Sequence, residues 1–303
     1  MTTGKMHANE PDIDTHLVRR LLAGQFPQWA ELPIEPFPSS GTVNAVYRLG
    51  DDLSVRLPRV KAGVKDAVSE RQWLPRLAPL LPVTIPTVLE TGEPAEGYPW
   101  NWTVCPWLAG DNPVVNALPH PDLLAKDLAA FIIALRRIDP AGAPPAYRGG
   151  PLAALDTETR AAIDELHGFI DTQAATRVWN ATLKAPDWSG PPIWSHADLM
   201  PGNLLVEQGR LSAVIDFGCM GIGDPACDLI PAWNLLPAPT RPAFRAALGA
   251  DDAMWVRGRG WALSMALIQL PYYHRTNPGI AANARHVIHE VLTEAQQEAS
   301  EIA

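Results

Sequence analysis

Residues 194–228 read WSHADLMPGNLLVEQGRLSAVIDFGCMGIGDPACD, and the whole fold turns on how this stretch is understood. Two short apolar runs, NLLVE (203–207) and SAVIDF (212–217), are joined by Gln208-Gly209-Arg210, the pattern of a β-hairpin. Ahead of the hairpin, Asp198 precedes Asn203 by five positions on one tight loop. Asp216 follows on the second predicted strand, within Asp216-Phe217-Gly218.

On either side of this hairpin the second half of the chain has a helical period. Leu124, Leu128, Phe131, Ile132, Leu135 and Ile138 recur on one helical face from about residue 121. Further helix is expected around 153–170, 241–248, 255–274 and 281–299. Toward the N-terminus the pattern changes to strands. AVYRL (45–49) and LSVRLP (53–58) flank Gly50-Asp51-Asp52, a short turn. Alternation sends Leu53, Val55 and Leu57 to one face and Ser54 and Arg56 to the other. A helix is expected over 61–73, stopped or kinked by Pro75, and NWTVCPWL (101–108) reads as a buried strand. Pro and Gly cluster at 33–38, 82–99 and 140–151, where loops are expected. A β-rich N-terminal lobe followed by a larger, mainly helical lobe makes an α+β, two-lobed architecture.

A chain of 303 residues is long enough for such a bilobal unit. It has no apolar run long enough for a membrane span, and its first residues, MTTGKMHANEPDIDTH, carry no secretory signal. Cys105, Cys219 and Cys227 lack metal-ligand spacing, and so few cysteines suit a reducing cytoplasm. The formal charge of −9 speaks against nucleic acid as a partner. It suits a cationic small molecule if the acids gather at the site. Nothing in the sequence selects an oligomeric state.

Asp198, Asn203 and Asp216 together suggest phosphoryl transfer from a nucleoside triphosphate to a hydroxyl. That reaction asks little covalent help of a protein. It asks for oxygen ligands to Mg²⁺ on the phosphates and a carboxylate aligned with the attacking hydroxyl. Asp198 is the candidate catalytic base; Asn203 and Asp216 are the candidate metal ligands. Each acid taken singly reads as an ordinary turn residue, but the ordered set His-x-Asp-x-x-x-x-Asn, hairpin, Asp-Phe-Gly is specific.

With these motifs the chain resembles the aminoglycoside phosphotransferase family, relatives of the protein kinases. The resemblance rests on Ser195-His196-Ala197-Asp198-Leu199-Met200-Pro201-Gly202-Asn203, on Val214-Ile215-Asp216-Phe217-Gly218 and on Gly223-Asp224-Pro225-Ala226-Cys227-Asp228-Leu229. It extends more loosely from about residue 39 to the C-terminus. It implies a protein-kinase-like fold: a nucleotide-binding lobe over 1–105, a linker over 106–111 and a helical lobe over 112–303. The active site is expected between the lobes, with ATP or GTP as donor and Mg²⁺ as cofactor. His196 is expected to be a structural member of the catalytic loop. Asp224, before Pro225, suits a helix cap, and Asp224 and Asp228 are either structural or substrate-binding.

The family holds its triphosphate with a strand lysine oriented by a helix glutamate. Here that strand position is Arg56, with Glu70 as its expected partner, and Lys61 and Lys65 are substitutes. A phosphate loop is expected at 39–44, with Ser40 and Thr42 as candidates, although no G-x-G-x-x-G is present. The nucleotide base is expected beside Ser54 and Cys105, against the carbonyl of Pro106 and the N–H of Leu108. For the acceptor, Asp156, Glu158, Asp164 and Glu165 are acidic candidates, and Trp233, Trp261, Tyr272 and Tyr273 are candidate walls. The acceptor itself stays open. It is an aminoglycoside-like or other antibiotic, or a metabolite such as a sugar or amino alcohol. Arg56 also raises a nucleotide-binding pseudokinase, against which the intact Asp198, Asn203 and Asp216 stand.

Overall fold

The computed structural model describes residues 10–38 and 43–302. It divides into two units, Met1–Gly110 with Ala213–Gly218, and Asp111–Ser212 with Cys219–Ala303.

The first unit begins with α1 (Thr15–Gln25), whose N-terminus is capped by the Asp14 carboxylate accepting from the Leu17 amide at 2.7 Å. Strands β1 (Ile34–Phe37), β2 (Asn44–Leu49) and β3 (Leu53–Pro58) follow, then α2 (Lys61–Leu77), β4 (Glu90–Gly92) and β5 (Trp102–Pro106). They form an antiparallel sheet of order β1-β2-β3-β5-β4. In its register Ser54 lies opposite Cys105 and Arg56 opposite Thr103. Val18, Leu22, Tyr47, Leu49, Val55 and Trp102 are buried between α1 and the sheet.

Helix α2 does not stop at Pro75 but runs on to Leu77. So near the C-terminal end the proline costs one backbone hydrogen bond, and the burial of Trp73, Leu74 and Leu77 holds the last turn in place.

The second unit contains α3 (Pro121–Arg136), α4 (Asp156–Glu165), α5 (Thr172–Thr182), β6 (Ile193–Ser195) and β7 (Leu204–Glu207). The chain continues through β8 (Arg210–Val214), which ends outside this unit, and β9 (Gly221–Gly223). It closes with α6 (Pro231–Asn234), α7 (Arg241–Ala247), α8 (Asp252–Tyr273) and α9 (Pro278–Ile302). Strand β6 pairs antiparallel with β9, and β7 pairs with β8. The helix expected over 153–170 is shorter, because Gly168 turns left-handed at φ +84° and the chain restarts as α5 under an Asp171 cap. Helix α8 is apolar nearly all round and is buried along most of its length, the behaviour of a central core helix. No helix among the described residues is long and apolar enough to cross a membrane.

Candidate active site

In the first unit Arg56 on β3 meets Glu70 on α2, Nη1 to Oε2 at 3.3 Å. The other Glu70 oxygen, Oε1, accepts the Phe217 amide at 3.0 Å. One carboxylate thus holds both the strand arginine and the backbone just after Asp216. Burial, the largest influence, pushes the Glu70 carboxyl upward, with Arg56 opposing. Burial also works against the Arg56 charge, yet Glu70, Cys105 and Asp216 hold its pKa above the ordinary value.

Asp216 is not on a strand. Strand β8 ends at Val214, and Asp216 sits two residues later with φ +62°. A β-strand cannot carry a left-handed residue, so the ladder stops before it. The next surprise is Asp66, one helical turn ahead of Glu70 on α2. Loss of solvent, and then the charge of Asp216, push its carboxyl up to about 6. A Cβ built on Gly218 would lie 3.1 Å from the Asp66 carboxyl carbon, so glycine is what lets the 213–218 segment approach α2 so closely. Asn44, Arg56, Asp66, Glu70, Thr103 and Asp216 line one recess.

The expected base-binding residues are also in this unit. The buried Ser54 hydroxyl donates to the Cys105 carbonyl at 3.4 Å, and the Cys105 side chain is buried with it. Pro106 ends β5 opposite Leu53, and Leu108 lies half-buried beyond the strand. Lys61 and Lys65 are exposed, whereas Arg56 is engaged by Glu70. Ser40 and Thr42 lie outside the described residues.

In the second unit, β6 delivers the chain into the loop that carries Asp198. His196 is fully buried, and its Nδ1 accepts the Asp198 amide at 3.3 Å. Ala197 is left-handed at φ +63°, a conformation an alanine resists. Asp228 holds it there: its two carboxylate oxygens accept the amides of His196 at 3.0 Å and Ala197 at 2.8 Å. Burial raises the Asp228 carboxyl, with His196, Arg136 and these amides opposing. Asp224 caps the short turn after it, accepting the Ala226 amide, and is ion-paired with Arg257 at 2.7 Å in a buried position.

Asn203 closes the loop from the other end. Its Nδ2 donates to the Asp198 carbonyl at 2.9 Å and to Asp198 Oδ2 at 3.1 Å. Arg148 Nη1 donates to Asp198 Oδ1 at 2.8 Å. Asn112 Nδ2 donates to the carbonyls of Gly202 at 3.0 Å and Leu204 at 2.8 Å, and Asn234 Nδ2 to that of Leu199 at 3.0 Å. Sequence reasoning missed Arg148, Asn112, Asn234 and Asp66. Only Asp66 left a local signal, its four-residue spacing from Glu70 on one helix face.

The acceptor candidates divide. Trp233 and Trp261 are not walls of an open site but core residues, buried because α8 and its neighbours close over them. Tyr272 is exposed and Tyr273 half-buried, and their rings meet edge-on. Asp156 is already engaged by Arg160 and by the Trp179 indole N–H, while Glu158, Asp164 and Glu165 are exposed.

Comparison with known proteins gives a consistent result. The chain is 24% identical over 212 residues to an aminoglycoside 3'-phosphotransferase of Escherichia coli, covering 65% of this chain and 74% of that one. An aminoglycoside 3'-phosphotransferase of Salmonella typhimurium is 23% identical over the same shares. Among solved structures, the GDP and kanamycin complex of APH(2")-IIia superposes with a TM-score of 0.75 at 20% identity, over 93% of this chain and 99% of that one. The macrolide 2'-phosphotransferase MphH from Brachybacterium faecium superposes with a TM-score of 0.61 at 20% identity, over 92% and 97%. These likenesses fix the kinase-like fold. Residues 34–262, well over half the chain, match the model of a phosphotransferase enzyme family, and the chain belongs to that family.

Proposed function

We propose that this phosphotransferase moves the γ-phosphoryl group of ATP or GTP onto a hydroxyl of a small antibiotic-like molecule, with Asp198 as the base. The observation that carries this reading is the Asp198 carboxylate. It is half-buried, fixed by Asn203 and Arg148, and carried on a loop that Asp228 locks. A carboxylate oxygen accepts about two hydrogen bonds, so the Asn203 and Arg148 contacts do not by themselves exhaust either oxygen. The hydroxyl proton passes to that carboxylate as the new O–P bond forms. The bond from the γ-phosphorus to the bridging oxygen breaks, and the nucleoside diphosphate leaves.

Asn203 and Asp216 are the proposed magnesium ligands, and their chemistry fits the ion. Both offer oxygen, and the Asn203 amide nitrogen is spent on Asp198, which leaves its carboxamide oxygen for a hard cation. Around Asp216 the first unit gathers Asp66 and Glu70 against the guanidinium of Arg56, an excess of negative charge among the described residues that suits a cation. Magnesium, when bound, neutralises phosphate charge. Arg56, oriented by Glu70, is the proposed phosphate contact, together with Ser40 and Thr42. Ser54, Cys105, Pro106 and Leu108 are the proposed surroundings of the base. His196, Asp224 and Asp228 take structural roles, as their burial and partners support. The aminoglycoside and macrolide phosphotransferases among the relatives support an antibiotic-like acceptor. The free cysteines suit a cytoplasmic enzyme.

The test is a panel of aminoglycosides, macrolides, sugars and amino alcohols assayed for ATP- or GTP-dependent phosphorylation, followed by Asp198→Ala on the best acceptor. We expect kcat to fall at least about a thousandfold while calorimetric nucleotide affinity stays within about threefold. Full transfer by Asp198→Ala would remove Asp198 as the base.

A further inference from the structure

A side-chain cation within hydrogen-bond reach of Asp198 comes from a loop fifty residues upstream. Arg148 follows α3 in a stretch of Pro and Gly, and nothing local marks it. Its Nη1 reaches three acceptors at once: Asp198 Oδ1 at 2.8 Å, the Ala197 carbonyl at 3.1 Å and Cys219 Sγ at 3.4 Å. The two side chains of the ion pair are 20% and 21% exposed, which is enough burial to separate this contact from a loose surface pair. On its outer side the guanidinium lies 5.2 Å from the ring of Tyr147, which is itself 78% exposed. The Tyr147 amide is tied to the Cys219 carbonyl at 3.1 Å, so the backbone beside Arg148 is held in place.

We infer that Arg148 is a positioning residue, whose guanidinium fixes the rotamer of the Asp198 carboxylate for the incoming acceptor hydroxyl. The inference rests on the reading of Asp198 as the base. Asn203 holds Oδ2, and rotation about the side-chain bonds of Asp198 would sweep Oδ1 away from the acceptor direction. Arg148 secures Oδ1 as Asn203 secures Oδ2, so the carboxylate is held at both ends. Burial, the largest influence, works against the guanidinium charge, but Asp198, Cys219, Tyr147 and Cys227 together hold the Arg148 pKa above its ordinary value, so the charge persists. A misdirected base slows chemistry without loosening nucleotide, because Arg148 acts through Asp198.

Arg148→Gln keeps a donor for the Ala197 carbonyl and loses the cation. Arg148→Lys keeps the cation at the place where a single nitrogen now makes all three contacts. Each is measured beside Asp198→Ala for kcat, acceptor and nucleotide KM, nucleotide affinity by calorimetry, and Tm. We expect the glutamine variant to lose about tenfold or more in kcat with nucleotide affinity and nucleotide KM within about twofold, and the lysine variant to recover most of that loss. Unchanged or raised kcat in Arg148→Gln would overturn the proposal, as would a kcat loss matched by lost nucleotide affinity. A lysine variant no better than glutamine would do the same. If the glutamine variant does not fold, the lysine variant decides alone: kcat above about a tenth of wild type supports the role, and kcat below about a hundredth ends it. Activity retained by Asp198→Ala is a separate result. It would strike the base assignment itself, whatever the Arg148 variants show.

Discussion

The two units hold their candidate catalytic groups in different ways. In the sheet-bearing unit the arrangement is electrostatic: a half-buried guanidinium on β3, a buried glutamate between it and the Phe217 amide, and two further carboxyls, Asp66 and Asp216, with no second cation among the described residues of the recess. In the helical unit it is geometric. A left-handed alanine is pinned by two amides on Asp228, the loop is tied down by Asn112 and Asn234, and the acids are matched one by one with amides or arginines. An excess of negative charge is tolerable only where a cation is to be taken in. A strained backbone is tolerable only where a direction has to be fixed. On the proposed function, the first region receives charge and the second aims it.

The contrast is most severely tested at Asp216. Asp216→Asn keeps the shape and removes the carboxylate proposed to bind metal. We expect phosphoryl transfer to fall at least about a hundredfold and metal-dependent nucleotide affinity to weaken, in steady-state kinetics and calorimetry with and without Mg²⁺. Unchanged turnover would mean that the charge excess serves something else.

A smaller effect comes from Asp66. Its carboxyl, at about 6 in the fold against an ordinary 3.8, binds its proton more tightly folded than unfolded. Its stabilising contribution is therefore fully present below about pH 3.8 and is lost as the pH rises through about 6. Asp66→Asn should stabilise the metal-free protein by about 1 kcal/mol at pH 7 to 8, after allowance for partial exposure, and by nothing at pH 4 or below. Denaturant melts at the two pH values check it. Equal gains at both would show that the carboxylate is not held against its neighbour's charge.

The smallest expected effect is at Ala197. Ala197→Gly relieves the left-handed strain, so stability should rise slightly or hold, by less than about 1 kcal/mol, because glycine also gains freedom in the unfolded chain. The loop should at the same time become less rigid, with kcat lowered a few-fold. A loss of stability would mean that the alanine methyl contributes packing that outweighs its strain.

Much of this molecule was legible in its sequence because the decisive features are local. The hairpin from β7 to β8, the alternation of β3 and the helical period of α3 are each read within a dozen residues, and the His-x-Asp-x-x-x-x-Asn spacing places Asp198 and Asn203 on one loop. Asp228 and Asp224 could be suspected of structural work, and both are buried, Asp228 against the Ala197 amide and Asp224 against Arg257. What escaped depends on distance along the chain or on burial. Arg148 and Asn112 reach the loop across fifty and ninety residues, and no period records that. Trp233 and Trp261 looked like walls because an aromatic in a helix reads alike whether it faces a ligand or the core. The strand containing Asp216 was drawn too long because apolar residues on both sides masked a backbone reversal. Pro75 was given too much power, since a proline breaks a helix only where the lost bond is not offset by burial of the turn around it.

One carboxylate, Glu70, serves two clients, and that gives the sheet-bearing unit an internal messenger. Whatever draws the Arg56 guanidinium away from Oε2 changes the charge on the same group whose Oε1 holds the Phe217 amide. News of occupancy at β3 therefore travels to the residue beside Asp216 through the two bonds of a single carboxylate, with no movement of the sheet. The exchange rate of one backbone proton, that of Phe217, is the line on which such a message would be heard.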